Sequence, residues 1–276
     1  MSKQETLGKK ILQRIHNHDK DKGGVLTQTT GAMGSAKTAV NLSFTDYTLV
    51  KYPKEKIFWS ECYNTPLQTF KLKHRDRIQF MVKNSKDHDI IFRDRDKHLK
   101  EANIKPIHFD TVEEVYELAK PGHVNVVFFG NRLEWMGLIA HLRGSGEWNH
   151  TYLEEFSEIA PAFPSGNLWK EVKGFANLLK DVRKCMMNVH YNTQQVSDIF
   201  YECKNKVMIK IFLPGSITEN HCRITQPAID NLNRDSKKGN QAWLVEGGEF
   251  GKIRFRDIYK PVPGYHYEAH INERKE

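Results

Sequence analysis

A glycine-bounded turn, Gly31-Ala32-Met33-Gly34-Ser35-Ala36-Lys37-Thr38, joins a β-branched run to a helical one. Val25 to Thr30 reads as a strand, and Ala36, Ala39, Val40 and Phe44 recur at helical spacing beyond it. A strand that turns through glycine directly into a helix aims backbone N–H groups and the positive end of the helix dipole at one point, which is a cradle for phosphate. In that cradle Lys37 is placed to bridge β- and γ-phosphates, and the Thr38 hydroxyl to ligate Mg²⁺. One position departs from the pattern GxxxxGK[ST]: Ala36 stands where a second glycine is expected, and its methyl group restricts backbone freedom or close approach. The competing reading is a Gly/Ser-rich turn before an ordinary helix.

The remaining pattern supports an α/β chain with a mostly parallel sheet. Glu5 to His18 carries Leu7, Ile11, Leu12 and Ile15 at helical spacing. Strands are expected at Lys56–Ser60, Val124–Phe129, Thr151–Leu153, Met186–Tyr191 and Val207–Leu213. Helices are expected at Thr111–Ala119 (with a Thr111/Glu114 capping box), Leu133–Leu142, Trp169–Arg183 and Ser197–Tyr201. QAWLVEGGEFGKIRFR reads as a C-terminal antiparallel hairpin. The segment Lys71 to Lys105 is the most highly charged part, and Ile90 to Phe92 within it suits either a strand or a helix start. The expected organisation is an N-terminal helix over 1–22, one domain over 23–260 with a charged insertion at about 71–105, and a tail over 261–276.

No apolar run approaches the roughly 18 to 20 residues of a membrane-spanning helix. The N-terminus lacks the apolar stretch of a secretory signal, so an intracellular, cytoplasmic protein is expected. Lys and Arg number 42 against 34 Asp and Glu, a formal charge of +8 that suits a polyanionic partner without requiring one. The four cysteines form no CxxC pair, so neither a zinc ribbon nor a disulfide scaffold is implied. Of the 13 histidines, His16/His18 and His266/His270 lack matching acidic or cysteine partners and read as surface residues. His150 and His190 flank the candidate acidic strand end and read as core or supporting groups.

That strand end is Tyr152-Leu153-Glu154-Glu155. Hydrolysis of a bound triphosphate needs one carboxylate for the Mg²⁺ shell and another to polarise the attacking water. Glu154 fits the metal-side role and Glu155 that of general base, with Glu154 standing where Asp is usual. The alternative is a solvated acidic first turn of a helix. Glu61, at the end of Phe58-Trp59-Ser60-Glu61, is a rival with one acid only. Gln194, after the strand ending in Tyr191, is a candidate polar sensor of the γ-phosphate. Arg183 is a candidate arginine finger acting across a subunit boundary, or equally a basic helix end.

With these residues in place the chain resembles the FtsK/HerA superfamily of P-loop ATPases. The matching order is GAMGSAKT, then YLEEFSEIAP, then DVRKCMMNVHYNTQQVSDIF, then the strand MIKIFLPG and the closing hairpin. The resemblance implies a RecA/FtsK-like P-loop NTPase fold binding ATP and Mg²⁺, with Gly31 to Thr38 holding phosphate and Thr38 and Glu154 the metal. It implies Lys37, Glu155, Gln194 and Arg183 as catalytic groups. It also implies a DNA-translocating or genome-packaging motor of a virus or plasmid, working as a homo-oligomeric ring such as a hexamer. A ring would bring basic residues to DNA, and Lys71, Lys73, Arg75 and Arg77, with Arg93, Arg95 and Lys100, are the densest group; a solvated charged face is the competing reading. Ala36 and Glu154 leave a second function open, a nucleotide-binding protein with little or no hydrolysis that acts in assembly or regulation. A third, a kinase, lacks a lid pattern.

Overall fold

Buried strand residues in this chain alternate between two apolar faces, and each face needs a layer of helices to cover it. The computed structural model describes residues 2–18, 23–62, 74–84, 88–94, 100–101, 104–131, 133–218, 224–232, 241–254 and 267–273. Its helices are α1 (Lys3–His16), α2 (Lys37–Lys51), α3 (Val112–Leu118), α4 (Glu134–Gly144), α5 (Gly166–Asp181), α6 (Tyr201–Lys204) and α7 (Gln226–Asp230). The strands are β1 (Leu26–Thr30), β2 (Lys56–Cys62), β3 (Ile78–Lys83), β4 (His88–Asp94), β5 (Lys100–Glu101), β6 (Ile107–Phe109) and β7 (Val124–Phe129), then β8 (Asn149–Leu153), β9 (Met187–Thr193), β10 (Ile209–Phe212), β11 (Gln241–Glu246), β12 (Glu249–Arg254) and β13 (Tyr267–Glu273).

Ten strands form one sheet in the order β12-β11-β10-β1-β9-β8-β2-β7-β3-β6. From β10 to β6 all neighbours are parallel, and β11 and β12 add the antiparallel hairpin at one edge. Phe58, Val127, Phe129, Leu153 and Tyr191 point to the side covered by α3, α4 and α5. Their chain neighbours Ile57, Trp59, Val126, Phe128 and Tyr152 point to the side covered by α1 and α2. The arrangement is the expected α/β one, three layers with the sheet in the middle.

Three details differ from the sequence reading. IQFMVK, inside the charged segment, is strand β3 of the main sheet, and its one buried amide, Gln79, donates to the Leu118 carbonyl at 2.9 Å. Ile90 to Phe92 resolve as strand: β4 pairs with β5 and with β13, which lies in the stretch expected as a tail. Helix over Ser197–Tyr201 is reduced to a 3₁₀ turn at Val196–Asp198 followed by the short α6. Among the densest basic residues, Lys71, Lys73 and Arg95 lie outside the described residues, as does His266. Arg77 is committed to structure, its Nη1 donating to the Leu49 carbonyl at 3.0 Å.

Candidate active site

β1 ends in the middle of the sheet, between β9 and β10, and the turn after it sits at the carboxyl ends of the parallel strands. Gly31 is required there by contact: a Cβ would lie 2.2 Å from Ser35 Oγ and 2.8 Å from Leu213 Cβ. Gly34 is required by conformation, with φ +74° and open space around it. Ser35 N–H closes the turn on the Ala32 carbonyl at 3.0 Å. Ala36 has φ 72° and ψ 32°, so the residue that replaces glycine adopts glycine's left-handed conformation and keeps the loop in shape. It carries no capping side chain, leaving the first-turn amides of α2 without a side-chain partner. Met33 is 85% exposed, so only its main chain can serve the cradle.

Lys37 is buried and donates to the carbonyls of Gly31 (2.9 Å) and Ala32 (3.3 Å). Burial lowers the pKa of its ammonium, and the carboxylates of Glu155 and Glu154 oppose that shift. Glu154 leaves the end of β8 directly towards α2. Its Oε2 accepts from Thr38 Oγ1 at 2.7 Å and its Oε1 from Asn41 Nδ2 at 2.8 Å. Thr38 and Asn41 are three residues apart and therefore on one face of α2. The main-chain N–H of Glu154 donates to Ser60 Oγ at 2.7 Å. Burial raises the pKa of Glu154, and the hydrogen bonds from Thr38, Asn192 and Asn41 pull it back.

β9 runs between β1 and β8, which puts its last residues between the turn and the acids. Asn192 uses both ends of its amide there. Nδ2 donates to Glu154 Oε2 at 2.5 Å, and Oδ1 accepts from Glu155 N–H at 2.9 Å. Glu155 has φ 47° and ψ 55°, a left-handed conformation that costs a non-glycine residue on the order of 1 kcal/mol or more and that the bond to Asn192 helps hold. Lys37, Thr38, Glu154 and Glu155 are thus brought together at one end of the sheet. Asn41, Ser60 and Asn192 join them without having been singled out in the sequence; the i, i+3 spacing from Thr38 was the available signal for Asn41.

Other sequence candidates lie elsewhere. Gln194 is exposed, one residue past the end of β9, and it is Asn192 that touches the acids. Arg183 is exposed in the 3₁₀ turn before β9, at the amino edge of the strands. A strand the length of β9 spans about 23 Å, so Arg183 is remote from its own chain's P-loop. His150 is the second residue of β8 and contacts Glu55 at that same far edge, so it does not flank the acids in space. His190 lies inside β9, stacked on Tyr152 with centroids 4.8 Å apart, and burial holds it neutral. His16 and His18 are not surface residues: His16 packs on Phe44 and Tyr47, and His18 is stacked between Tyr52 and Trp148. No described helix is long and apolar enough to cross a membrane.

No family model matches the chain, and no curated protein matches its sequence. Solved structures do match in three dimensions. One is the genome packaging NTPase B204 from Sulfolobus turreted icosahedral virus 2 in complex with ATP-gammaS, at TM-score 0.51 and 11% identity, covering 87% of this chain and 98% of that one. The same protein in complex with AMPPCP matches at TM-score 0.51 and 10% identity over the same shares. B204 described as the DNA-packaging ATPase from Sulfolobus Turreted Icosahedral Virus matches at TM-score 0.50 and 11% identity, covering 88% of this chain and 100% of that one. On this likeness the chain has the α/β fold of the genome packaging NTPase B204 structures.

Proposed function

We propose that this chain is a Mg²⁺-dependent ATPase that couples hydrolysis to the movement of DNA, in the manner of a viral or plasmid packaging motor, and that it works as a homo-oligomeric ring. The observation that carries the reading is the contact set around Glu154: one carboxylate meets the P-loop hydroxyl of Thr38 on one side and the Asn192 amide on the other, and that amide also positions Glu155. The residues present fit a magnesium nucleotide. The loop keeps its left-handed turns at Gly34 and Ala36, the helix start has no side-chain cap, and Lys37, Thr38 and Glu154 supply a cation and two hard oxygen donors. Bound there, the magnesium nucleotide supplies the phosphoanhydride to be cleaved and the charge neutralisation for cleavage.

Each side chain then has a defined task. Lys37 exchanges the Gly31 and Ala32 carbonyls for phosphate oxygens. Thr38 Oγ1 and the Glu154 carboxylate hold the cation. Glu155 accepts a proton from water at its carboxylate, and Asn192 keeps the two acids in fixed relation. Gln194, exposed at the same edge, is free to meet a γ-phosphate. Arg183, at the opposite edge, can serve only a neighbouring subunit's nucleotide.

The test is ATP turnover with and without duplex DNA. DNA should stimulate turnover, and Lys37→Ala and Glu155→Gln should abolish it. Absence of stimulation by any DNA overturns the motor reading. Tight ATP binding with negligible wild-type turnover would select a nucleotide-binding module in assembly or regulation. Native mass measurement with ATP and DNA tests the ring.

A further inference from the structure

At the edge of the sheet far from the P-loop, three side chains from separate segments converge. His18 follows α1, Glu55 lies in the turn before β2, and His150 is near the start of β8. His18 Nδ1 is 3.2 Å from Glu55 Oε1, and His150 Nε2 is 2.7 Å from Glu55 Oε2. Their donor atoms all lie within 4.8 Å of one another. Side-chain exposures of 12%, 15% and 3% place the group just under the surface, with its opening on the His18 and Glu55 side. The His18 ring is clamped between Tyr52 and Trp148, each with its centroid 3.8 Å away and within 7° of parallel. Its main-chain N–H donates to Tyr52 Oη at 3.1 Å. The imidazole is therefore oriented before anything binds, and its second nitrogen, Nε2, is buried with no hydrogen-bond partner among the described residues.

We propose that His18, Glu55 and His150 bind a divalent first-row transition ion, best matched by Zn²⁺, which ties the end of α1 to the amino edge of β2 and β8. Two imidazole nitrogens and one carboxylate suit Zn²⁺, whereas Mg²⁺ and Ca²⁺ take oxygen. Three donors bonded to one ion at about 2.0–2.2 Å stand roughly 3.3 Å apart in a tetrahedron. The His18–Glu55 pair at 3.2 Å already matches, the His150–Glu55 pair at 2.7 Å has to open, and the two imidazole nitrogens, within 4.8 Å of each other, have to draw together around the ion. The partly open side leaves a fourth position for water.

The alternative is a hydrogen-bonded His–Glu–His network with no ion, and Asn188 separates the two. Its Oδ1 accepts from Val25 N–H at 2.9 Å, which turns Nδ2 towards His150 Nδ1 at 3.4 Å. Without an ion, His150 therefore carries its proton on Nε2 and donates it to Glu55. An ion bound at Nε2 requires the neutral ring to carry its proton on Nδ1, facing Asn188. An acceptor at position 188 then helps: in Asn188→Asp one carboxylate takes both Val25 N–H and His150 Nδ1–H.

The experiment is titration of tag-free, chelator-treated protein with Zn²⁺ against a chromophoric chelator, and with Co²⁺ read by its visible spectrum. We expect one ion bound at micromolar affinity or better. Glu55→Gln and His18→Phe, the latter keeping the aromatic stack, should each weaken it by about tenfold or more, and Asn188→Asp should tighten it. Glu154→Gln should leave this ion in place, which separates it from a cation at the P-loop. No stoichiometric binding by wild type, or binding that survives both His18→Phe and Glu55→Gln, overturns the proposal. Should a variant fail to fold, a wild-type Co²⁺ spectrum without nitrogen ligation overturns it equally.

Discussion

Ala36 offers a test of the P-loop that needs no nucleotide. With φ 72° and ψ 32°, its methyl group sits in the left-handed region, which costs an L-residue roughly 1–2 kcal/mol. Ala36→Gly removes that strain but returns conformational entropy to the unfolded chain, worth about 0.4–1 kcal/mol in the opposite direction. The balance is a net stabilisation of about 0.5–1 kcal/mol. Ala36→Val goes the other way, because a β-branched side chain in this region is a genuine outlier and costs more than alanine. Glycine and valine variants should therefore differ by about 2 kcal/mol or more. Urea unfolding at constant slope measures this, since an unchanged m-value assigns the difference to stability alone. If glycine destabilised the protein as valine does, residue 36 would not be in the left-handed conformation, and the claim that alanine preserves the glycine turn would fail.

Two further outcomes follow from buried groups. Asn192→Ala removes a bond to the Glu154 carboxylate and another from Glu155 N–H, for a loss of about 2–4 kcal/mol, while exposed Gln194→Ala should cost less than about 0.5 kcal/mol; equal losses in thermal or urea unfolding would refute the placement of Asn192 between the acids. His190 is buried and its pKa is depressed, so the unfolded chain binds a proton below about pH 6.5 that the folded chain refuses. Its contribution is complete above that pH and is lost as pH falls, by up to about 1.4 kcal/mol per unit. His190→Phe should flatten the acid limb of the stability curve by that one proton, and an unchanged slope would show that His190 is free to ionise.

What the sequence made legible, and what it hid, has a physical pattern. The turn from Gly31 to Thr38 was readable because strand, turn and helix each carry a local signature, and the structure needs glycine at 31 for contact and at 34 for φ. Glu154 and Glu155 were readable as paired acids at a strand's end, although the residues leading into it, Asn149 and His150, are polar. Asn192 was passed over for Gln194 because both carboxamides follow the strand expected to end at Tyr191, and only the pairing of β9 with its neighbours shows that the strand runs on through Asn192 to Thr193 and brings Asn192 level with the acids. Strand β3 was hidden by its charged flanks, although Ile78, Phe80, Met81 and Val82 are apolar, and the amide N–H of its buried polar residue, Gln79, finds its acceptor in a carbonyl 39 positions away. His18 shows the same limit most clearly. Its neighbours in sequence are polar and charged, but Tyr52 and Trp148, which sandwich it, and Glu55, which it meets, come from segments that only the folded sheet edge assembles. Local chemistry is written in spacing, whereas a polar residue's burial is settled by distant partners. For that reason the residues that connect the P-loop to its acids, rather than the P-loop itself, are the ones that sequence alone misses.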